Sequence, residues 1–320
     1  MAKHLNEDLA ILLLDFEKAY DRVDWNFLQG TLQRLGFEDS WINGVSALYS
    51  SASSRVLLAR DKGMRFFITR SIRQGCPLAP FLFLFFAEAL HMYLAGEHVG
   101  LTGLQISECS KQVLDQEFAD DTNLYLQGQV ENLQKEKEVL QVFCSASGAL
   151  INWHKIVGFW VCSSPVPDWS PADGFQRVPR GTAIKYLGCQ IGLNLSPEAY
   201  ITPLLTFIRR KLIYWSNRKL SLAGRVVICN QVLLATMWYI ASSWLFSRSL
   251  LGQIQRLVRN FLWSGKYDSP SRAKVAWSLI TLPISQGGLG VVAPLQQCKT
   301  LLGKLIIRSF LPGKAPWKHL

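Results

Sequence analysis

The feature of this sequence that most restricts its fold is a run of six apolar residues, Leu9–Leu14, that ends directly at Asp15. The run lacks the alternation of apolar and polar residues that a half-exposed strand shows. It therefore predicts a short strand that is buried on both faces. A carboxylate near a core is costly unless a cation or hydrogen-bond donors compensate its charge. Asp15 is for this reason the first candidate functional residue.

Helical and strand patterns follow this run in an order typical of an α+β domain. The predicted helices are 25–35, 41–49, 80–95 and 131–147, and the predicted strands are 56–59, 65–69, 113–119, 123–127, 149–152, 157–161 and 184–191. After Pro203 the pattern is helical, over about 204–219, 221–246, 250–264 and 295–310. A proline-rich loop at 163–181 is the clearest internal boundary. We assign residues 1–200 to an α+β domain and residues 201–320 to a helical domain.

The two parts of the chain differ in charge. Residues 201–320 contain 17 Lys and Arg against a single acid, Asp268, whereas residues 1–200 have a net charge of −5. A solvated surface seldom needs so large an excess of one sign, which favours a polyanionic partner such as nucleic acid or an anionic membrane. The uncharged run 226–247 is long enough to span a bilayer, but its Asn, Gln, Thr and Ser residues favour a buried helix. We expect no membrane partner.

The cysteine pattern predicts an intracellular protein. The chain has seven cysteines, an odd number, and they do not show metal-ligand spacing. A zinc site is not expected, and reduced thiols are typical of the nucleus and cytoplasm. The polar N-terminus does not resemble a signal peptide, so secretion is not expected.

Asp120 and Asp121 lie side by side at the predicted tip of the hairpin formed by 113–119 and 123–127. An Asp pair in a hairpin is often only a turn. Adjacent carboxylates also repel, which raises one pKa unless a cation is present. Together with Asp15 they would suit Mg²⁺, and two such ions could activate an attacking hydroxyl and stabilise a leaving pyrophosphate. The 105 positions between Asp15 and Asp120 leave open whether they meet in space.

Four sequence blocks, in order, resemble the reverse transcriptases of non-LTR (LINE-type) retrotransposons. The blocks are Leu13–Val23 (LLDFEKAYDRV), Arg73–Pro80 (RQGCPLAP), Phe118–Asp121 (FADD) and Gly148–Lys155 (GALINWHK), followed by Tyr186–Gly188 (YLG). The resemblance covers about residues 5–315. It implies a polymerase-type palm, with an antiparallel sheet and helices packed on one face, followed by an all-helical thumb.

The resemblance implies an RNA-directed DNA polymerase that transfers nucleotides to a primer 3′-hydroxyl. Asp15 and Asp120 would hold two Mg²⁺ ions, with Mn²⁺ as a possible substitute, and Asp121 would support the pair. Lys155 would act as an acid near the leaving pyrophosphate, although a lone Lys after a strand is usually only solvated. Ile156 stands where a small hydroxyl residue is frequent in the family, which weakens the assignment of Lys155.

The same resemblance implies a dNTP site. Tyr20 would lie under the sugar of the nucleotide and crowd out a 2′-hydroxyl, although an aromatic residue here is as easily part of a core. Gln74 and Gly75 would form a loop against the template base, since glycine lets the backbone approach a substrate closely. Arg73 would face phosphate.

Basic residues of the helical domain would contact the phosphates of an RNA template and DNA primer. The candidates are Arg209, Arg210, Lys211, Arg218, Arg256 and Arg259. Lys211 and Arg218 are seven residues apart, which places them on one helix face. The sequence does not identify a protein partner.

Only 14 residues precede Asp15, whereas the family has a long fingers region before this point. The resemblance therefore leads us to expect a chain that lacks most of the fingers. An alternative to the active polymerase is a catalytically inactive, nucleic-acid-binding remnant of such an element.

Overall fold

The computed structural model describes residues 8–105, 112–161, 176–242, 244–267, 269 and 272–312. The chain divides into two compact units, of which the first extends to Pro179 and the second begins at Arg180. Each unit has its own hydrophobic core. The division falls at the end of the proline-rich loop, most of which lies outside the described residues.

The first unit combines a sheet with packed helices, and the predicted α+β class is confirmed. Its helices are α1 (Ala19–Arg22), α2 (Trp25–Arg34), α3 (Asp39–Tyr49), α4 (Ala79–Leu94) and α5 (Val130–Ser147). Its strands are β1 (Leu9–Asp15), β2 (Ser53–Leu58), β3 (Asp61–Phe67), β4 (Leu104–Gln105), β5 (Gln112–Val113), β6 (Asp115–Phe118), β7 (Asp121–Gln127), β8 (Val157–Val161) and β9 (Gln176–Arg177).

Five of these strands form the main sheet, in the order β6-β7-β1-β8-β9. All neighbours are antiparallel except β8 and β9, which run parallel. The central strand β1 is buried on both faces, as its apolar run predicts: Ala10, Leu12 and Leu14 face the core shared with the helices, and Leu9 and Leu13 are also buried.

The predicted strand at 149–152 is wrong. Only an isolated bridge between Ile151 and Phe16 forms there, because the segment leaves α5 through Gly148, whose φ of 76° ends the helix in the left-handed region. The chain then enters a 3₁₀ turn at Trp153–Lys155, so too few residues remain for a regular strand.

The second unit is almost wholly helical. It contains β10 (Ile184–Tyr186), β11 (Cys189–Ile191), α6 (Pro197–Ser216), α7 (Leu222–Ile228), a π-helical turn (Cys229–Leu234), α8 (Ala235–Ala241), α9 (Arg248–Ser264), α10 (Trp277–Ile280) and α11 (Pro294–Phe310). The single strand predicted at 184–191 is a hairpin, since Leu187 and Gly188 both have positive φ and reverse the chain. The hairpin lies in the second unit, which begins at Arg180.

Two side chains connect the helices of the second unit. Asn230 lies in the π-helical turn, where its Nδ2 donates to the Gly290 carbonyl at 2.8 Å and its Oδ1 accepts from the Val292 N–H at 2.9 Å. Arg225 donates to the carbonyls of Leu262 and Trp263 near the end of α9. The Arg225 contacts satisfy carbonyls that the end of α9 leaves unpaired, and the Asn230 contacts satisfy backbone groups of the segment that precedes α11.

The segment Leu222–Ala241 is long and apolar enough to cross a membrane by length and composition, and 28% of it is buried. Its residues Ile228, Cys229, Leu233, Leu234, Met237 and Ala241 belong to the core of the second unit. Core helices of soluble proteins share this length and composition.

Replacing Asn230 by Ala is expected to lower the free energy of unfolding by about 1–3 kcal/mol, because two backbone groups at Gly290 and Val292 lose their partner. Urea denaturation followed by tryptophan fluorescence measures the loss. The neighbouring, exposed Gln231→Ala serves as the control and should change stability by less than about 0.5 kcal/mol. Equal stability of the two variants would contradict the assigned role of Asn230.

Candidate active site

The site begins with the register of two central strands. β1 pairs with β7 so that Asp15 lies directly opposite Asp121. Paired residues of an antiparallel ladder present their side chains on the same face. The two carboxylates, far apart in the sequence, are therefore neighbours at one end of the sheet.

Asp120 precedes Asp121 in the turn that joins β6 to β7. The turn consists of Ala119 and Asp120. Ala119 has a φ of 56°, a backbone conformation that residues other than glycine seldom adopt and that strains an alanine. Asp121 is the first residue of β7, so the predicted tip holds only one of the two aspartates. Both carboxylates are exposed at the sheet end.

The three carboxylates repel one another. Burial raises the pKa of Asp121 above its usual value, and the negative charges of Asp120 and Asp15 raise it further. A divalent cation would relieve this repulsion.

Lys155 is the cation nearest to Asp15 among the described residues: its Nζ lies 3.4 Å from Asp15 Oδ2. The block that carries it runs alongside the end of β1. The Asn152 N–H donates to the Asp15 carbonyl at 2.8 Å, and the Glu17 N–H donates to the Leu150 carbonyl at 2.8 Å. These backbone bonds bring the first and fourth sequence blocks together.

The residues just before the second block are connected to α1 and to the start of α2, the helices that follow Asp15 in the chain. The Ile72 N–H donates to the Tyr20 carbonyl at 2.8 Å, and the Trp25 indole donates to the Ser71 carbonyl at 2.8 Å. Arg73, Gln74 and Gly75 follow in an exposed loop. Gly75 has a φ of 85° with no atom near its Cβ position, so its conformation requires glycine even though space is available.

Tyr20 is half-buried and stacks on Phe83 of α4, with ring centroids 4.5 Å apart and an angle of 12° between the rings. This contact holds the tyrosine ring against α4. The ring therefore lies at the edge of the core of the first unit.

The donor set of Asp15, Asp120 and Asp121 fits a divalent cation such as Mg²⁺ in chemistry and charge, because hard cations prefer carboxylate oxygens. Among the residues that the structure describes, His, Cys, Asp and Glu side chains do not form a group of three or more in a metal-binding arrangement. The backbone thus brings the three aspartates to one end of the sheet, and their side chains do not surround a common point.

The sequence of residues 1–191 matches the family model described as reverse transcriptase (RNA-dependent DNA polymerase). The chain belongs to the reverse transcriptase family. It is also 31% identical over 319 residues to a 149 kDa protein of transposon TX1 from Xenopus laevis, an alignment that covers 98% of this chain and 24% of that protein. The predicted resemblance to retrotransposon reverse transcriptases is confirmed by these matches.

Two solved telomerase structures, from Candida albicans and Candida tropicalis, each in complex with a fragment of telomeric RNA, are also similar. Their TM-scores are 0.44 and 0.43, at 13% and 14% identity, and they cover 96% and 98% of this reverse transcriptase chain. The chain spans 48% of each telomerase chain and about a quarter of the transposon protein.

A cluster that the sequence analysis missed lies beside the candidate site. Glu117 of β6 lines a small cavity of about 20 Å³ together with Asp120. Its buried Oε1 has no hydrogen-bond partner within the described part of the chain. On the same strand, Asp115 accepts a hydrogen bond from the His91 ring of α4 at 2.8 Å. The alternation of Asp115 and Glu117 along β6 is the signal that places both on one face.

The predicted nucleic-acid contacts of the second unit fall into two groups. On α6, Arg210 and Lys211 lie over the ring of Phe207, and Arg209 and Arg210 are exposed. On α9, Arg256 is exposed, whereas Arg259 is partly buried. The helix α6 ends at Ser216, so Arg218 lies beyond it, and the expectation that Arg218 and Lys211 share one helix face is wrong.

Lys211 also has a structural contact. Its Nζ donates to the Val232 carbonyl in the π-helical turn at 3.3 Å. Burial, followed by the charge of Arg210, lowers its pKa from the ordinary lysine value. Arg218 donates to the hydroxyl of Tyr214 at 3.0 Å and stays exposed.

Replacing Glu117 by Gln is expected to stabilise the protein at alkaline pH. Burial, followed by the charge of Asp115, raises the pKa of Glu117 from 4.5 to about 8. Between these values the folded state keeps a proton that the unfolded state has released, so the stability of the wild type falls as the pH rises through this window. Glu117→Gln lacks this loss. The free energy of unfolding of the variant minus that of the wild type should therefore be on the order of 1 kcal/mol or more higher at about pH 9 than at about pH 5.

Urea denaturation at several pH values measures this difference. The exposed Glu131→Gln is the control, and its stability should follow the pH dependence of the wild type. A parallel pH dependence of the wild type and Glu117→Gln would show that Glu117 ionises normally.

Proposed function

We propose that this chain is the catalytic part of an RNA-directed DNA polymerase of a LINE-type retrotransposon. The observation that carries the proposal is the register that sets Asp15 opposite Asp121, with Asp120 in the adjoining turn. The membership in the reverse transcriptase family supports it. The reaction is nucleotidyl transfer, in which a primer 3′-hydroxyl attacks the α-phosphate of a dNTP and pyrophosphate leaves.

Asp15, Asp120 and Asp121 are the residues that would hold Mg²⁺. The bound ion supplies positive charge that favours ionisation of the attacking hydroxyl and stabilises the leaving pyrophosphate. The chain itself contributes a rigid base for these carboxylates, because β1 and β7 lie in the centre of the sheet.

Lys155 contributes a proton donor. Its ammonium lies 3.4 Å from Asp15 Oδ2, so it is held at the carboxylate end of the sheet, where a leaving pyrophosphate would carry negative charge. A positioned ammonium can both attract that group and protonate it. Arg73, in the exposed loop of the second block, would contribute a further positive charge to the triphosphate.

Tyr20 would select the sugar. Its ring is held by stacking on Phe83, and its backbone carbonyl accepts from the N–H of Ile72, two residues before Gln74. A fixed ring at this place would leave no space for a 2′-hydroxyl, while Gln74 and Gly75 would contact the base pair formed with the template.

The template and primer would be RNA and DNA, bound in part by the basic second unit. Arg209, Arg210, Arg218 and Arg256 are exposed, and their charge suits phosphate contacts. We place the protein inside the cell, in the nucleus or cytoplasm. The described cysteines are free, which suits a reducing compartment; they are Cys76, Cys144, Cys189, Cys229 and Cys298.

Primer extension on an RNA template tests the proposed activity. The wild-type chain should extend a DNA primer when Mg²⁺ and dNTPs are supplied, and Asp120→Asn should reduce the product to the level without enzyme, because a carboxylate at the sheet end is lost. The exposed Asp39→Asn at the start of α3 is a matched control and should keep wild-type activity. Mg²⁺-dependent extension by the wild type no greater than that by Asp120→Asn would contradict the proposal.

Replacing Tyr20 by Ala is expected to weaken the preference for dNTP over rNTP by about tenfold or more, because the ring that excludes the 2′-hydroxyl is removed. Single-nucleotide incorporation, measured as kcat/KM for each nucleotide, checks this. Tyr20→Phe keeps the ring and should retain the preference. If Tyr20→Ala prefers dNTP over rNTP as strongly as Tyr20→Phe does, Tyr20 does not select the sugar and only packs against the core.

A further inference from the structure

The hairpin of β2 and β3 is exposed along almost its entire length. It forms a two-stranded sheet that does not join the main sheet. Isolated two-stranded hairpins are at best marginally stable in water. Its turn adds strain, because Ala59 and Arg60 both have positive φ, 46° and 81°, without being glycine.

Two arginines face each other across this hairpin. The register pairs Arg55 with Arg65 directly, and the next pair on the same face is Ser53 with Phe67. Like charges placed directly opposite destabilise an antiparallel pair. We call Ser53, Arg55, Arg65 and Phe67 the arginine face.

The arginine face is ordered but not neutralised. Arg65 Nε donates to Ser53 Oγ at 2.9 Å, and its guanidinium lies 5.1 Å from the centroid of the Phe67 ring. The side chain of Arg55 has neither a hydrogen bond nor an ion pair with any residue that the structure describes. Residues 53–67 contain four bases and one acid, Asp61. The repulsion between the two guanidinium groups is therefore uncompensated.

We propose that the arginine face binds a single-stranded polynucleotide, with a phosphate between Arg55 and Arg65 and a base on the ring of Phe67. This inference rests on the proposed function, under which the strand is the unpaired part of the template. A phosphate accepts hydrogen bonds from two guanidinium groups and removes their repulsion. The charge of the hairpin thus complements this ligand.

The exposed ring distinguishes a single strand from a duplex. Phe67 is 68% exposed and lies beside the arginine pair, so a base next to the bound phosphate can stack on it. The bases of a duplex are stacked on one another and cannot reach a ring in this way. An acidic peptide would satisfy the arginines but would bring no base to stack on the exposed Phe67 ring.

Fluorescence anisotropy of the full chain with a labelled, unstructured single-stranded RNA tests the inference. Arg55→Gln should weaken binding about tenfold or more, since a charge-assisted phosphate contact is lost. The negative slope of log K against log salt should become less steep by about 0.7, the value for one phosphate on a single strand. The melting temperature of the unbound variant should equal or exceed that of the wild type, because the repulsion is removed.

The exposed Arg34→Gln in α2 changes the net charge equally and should leave RNA affinity unchanged. Equal affinities of Arg55→Gln and Arg34→Gln would overturn the phosphate site, and a lower melting temperature of Arg55→Gln would show a structural role instead. Phe67→Leu should weaken binding of the single strand but not of a duplex. Equal losses for both ligands, or full competition by polyglutamate, would overturn the base contact.

Primer extension by the wild-type chain reports separately on the proposed function. If extension fails while RNA affinity depends on Arg55 and Phe67, the polymerase assignment is wrong and the arginine face stands. If extension succeeds while Arg55→Gln binds RNA as the wild type does, the arginine face is wrong and the polymerase assignment stands.

Discussion

The pairing of β1 with β7 is the interaction on which the site depends. Directly opposed carboxylates at Asp15 and Asp121 oppose this pairing. The same register pairs Leu12 with Leu124 and Ala10 with Leu126, and all four are almost completely buried. A slip by one residue would turn these apolar side chains away from the core. Burial of the strand centre therefore maintains an arrangement of charges that the carboxylates alone would not adopt.

The first unit contains a second pair of like charges in a different setting. Arg55 and Arg65 are opposed across a hairpin that has no buried centre to maintain the pairing. Repulsion can be balanced by burial elsewhere in the strands or by an oppositely charged ligand. Burial of the strand centre balances the repulsion of the carboxylate pair, which a bound cation would complete. The arginine pair has no such burial, so only a negatively charged ligand can balance its repulsion. Both pairs thus indicate ligands, and the ligands have opposite charge.

Local patterns predicted the helices and strands of the first unit well where the sequence shows a single clear pattern, such as an unbroken apolar run or a helical period. The apolar run Leu9–Leu14 is a buried strand, and helix α2 ends at Arg34, within one residue of its predicted end. The predictions were wrong where a turn replaced a continuing pattern: the segment 149–152 leaves α5 without forming a strand, and Leu187 and Gly188 reverse the chain. Positive φ at a non-glycine residue such as Leu187 has no clear sequence signal.

The sequence by itself determined the elements and the family, because periodicity, turn residues and short motifs act over a few neighbouring positions. It also named Asp15, Asp120, Asp121 and Lys155 as candidates. Only the tertiary structure decided that Asp121 opposes Asp15, that Lys155 reaches Asp15, and that Glu117 has a buried oxygen and lines a cavity with Asp120. The contacts of Asp15 with Asp121 and Lys155 join residues more than a hundred positions apart. They depend on strand register and on packing against the core, which no local pattern specifies.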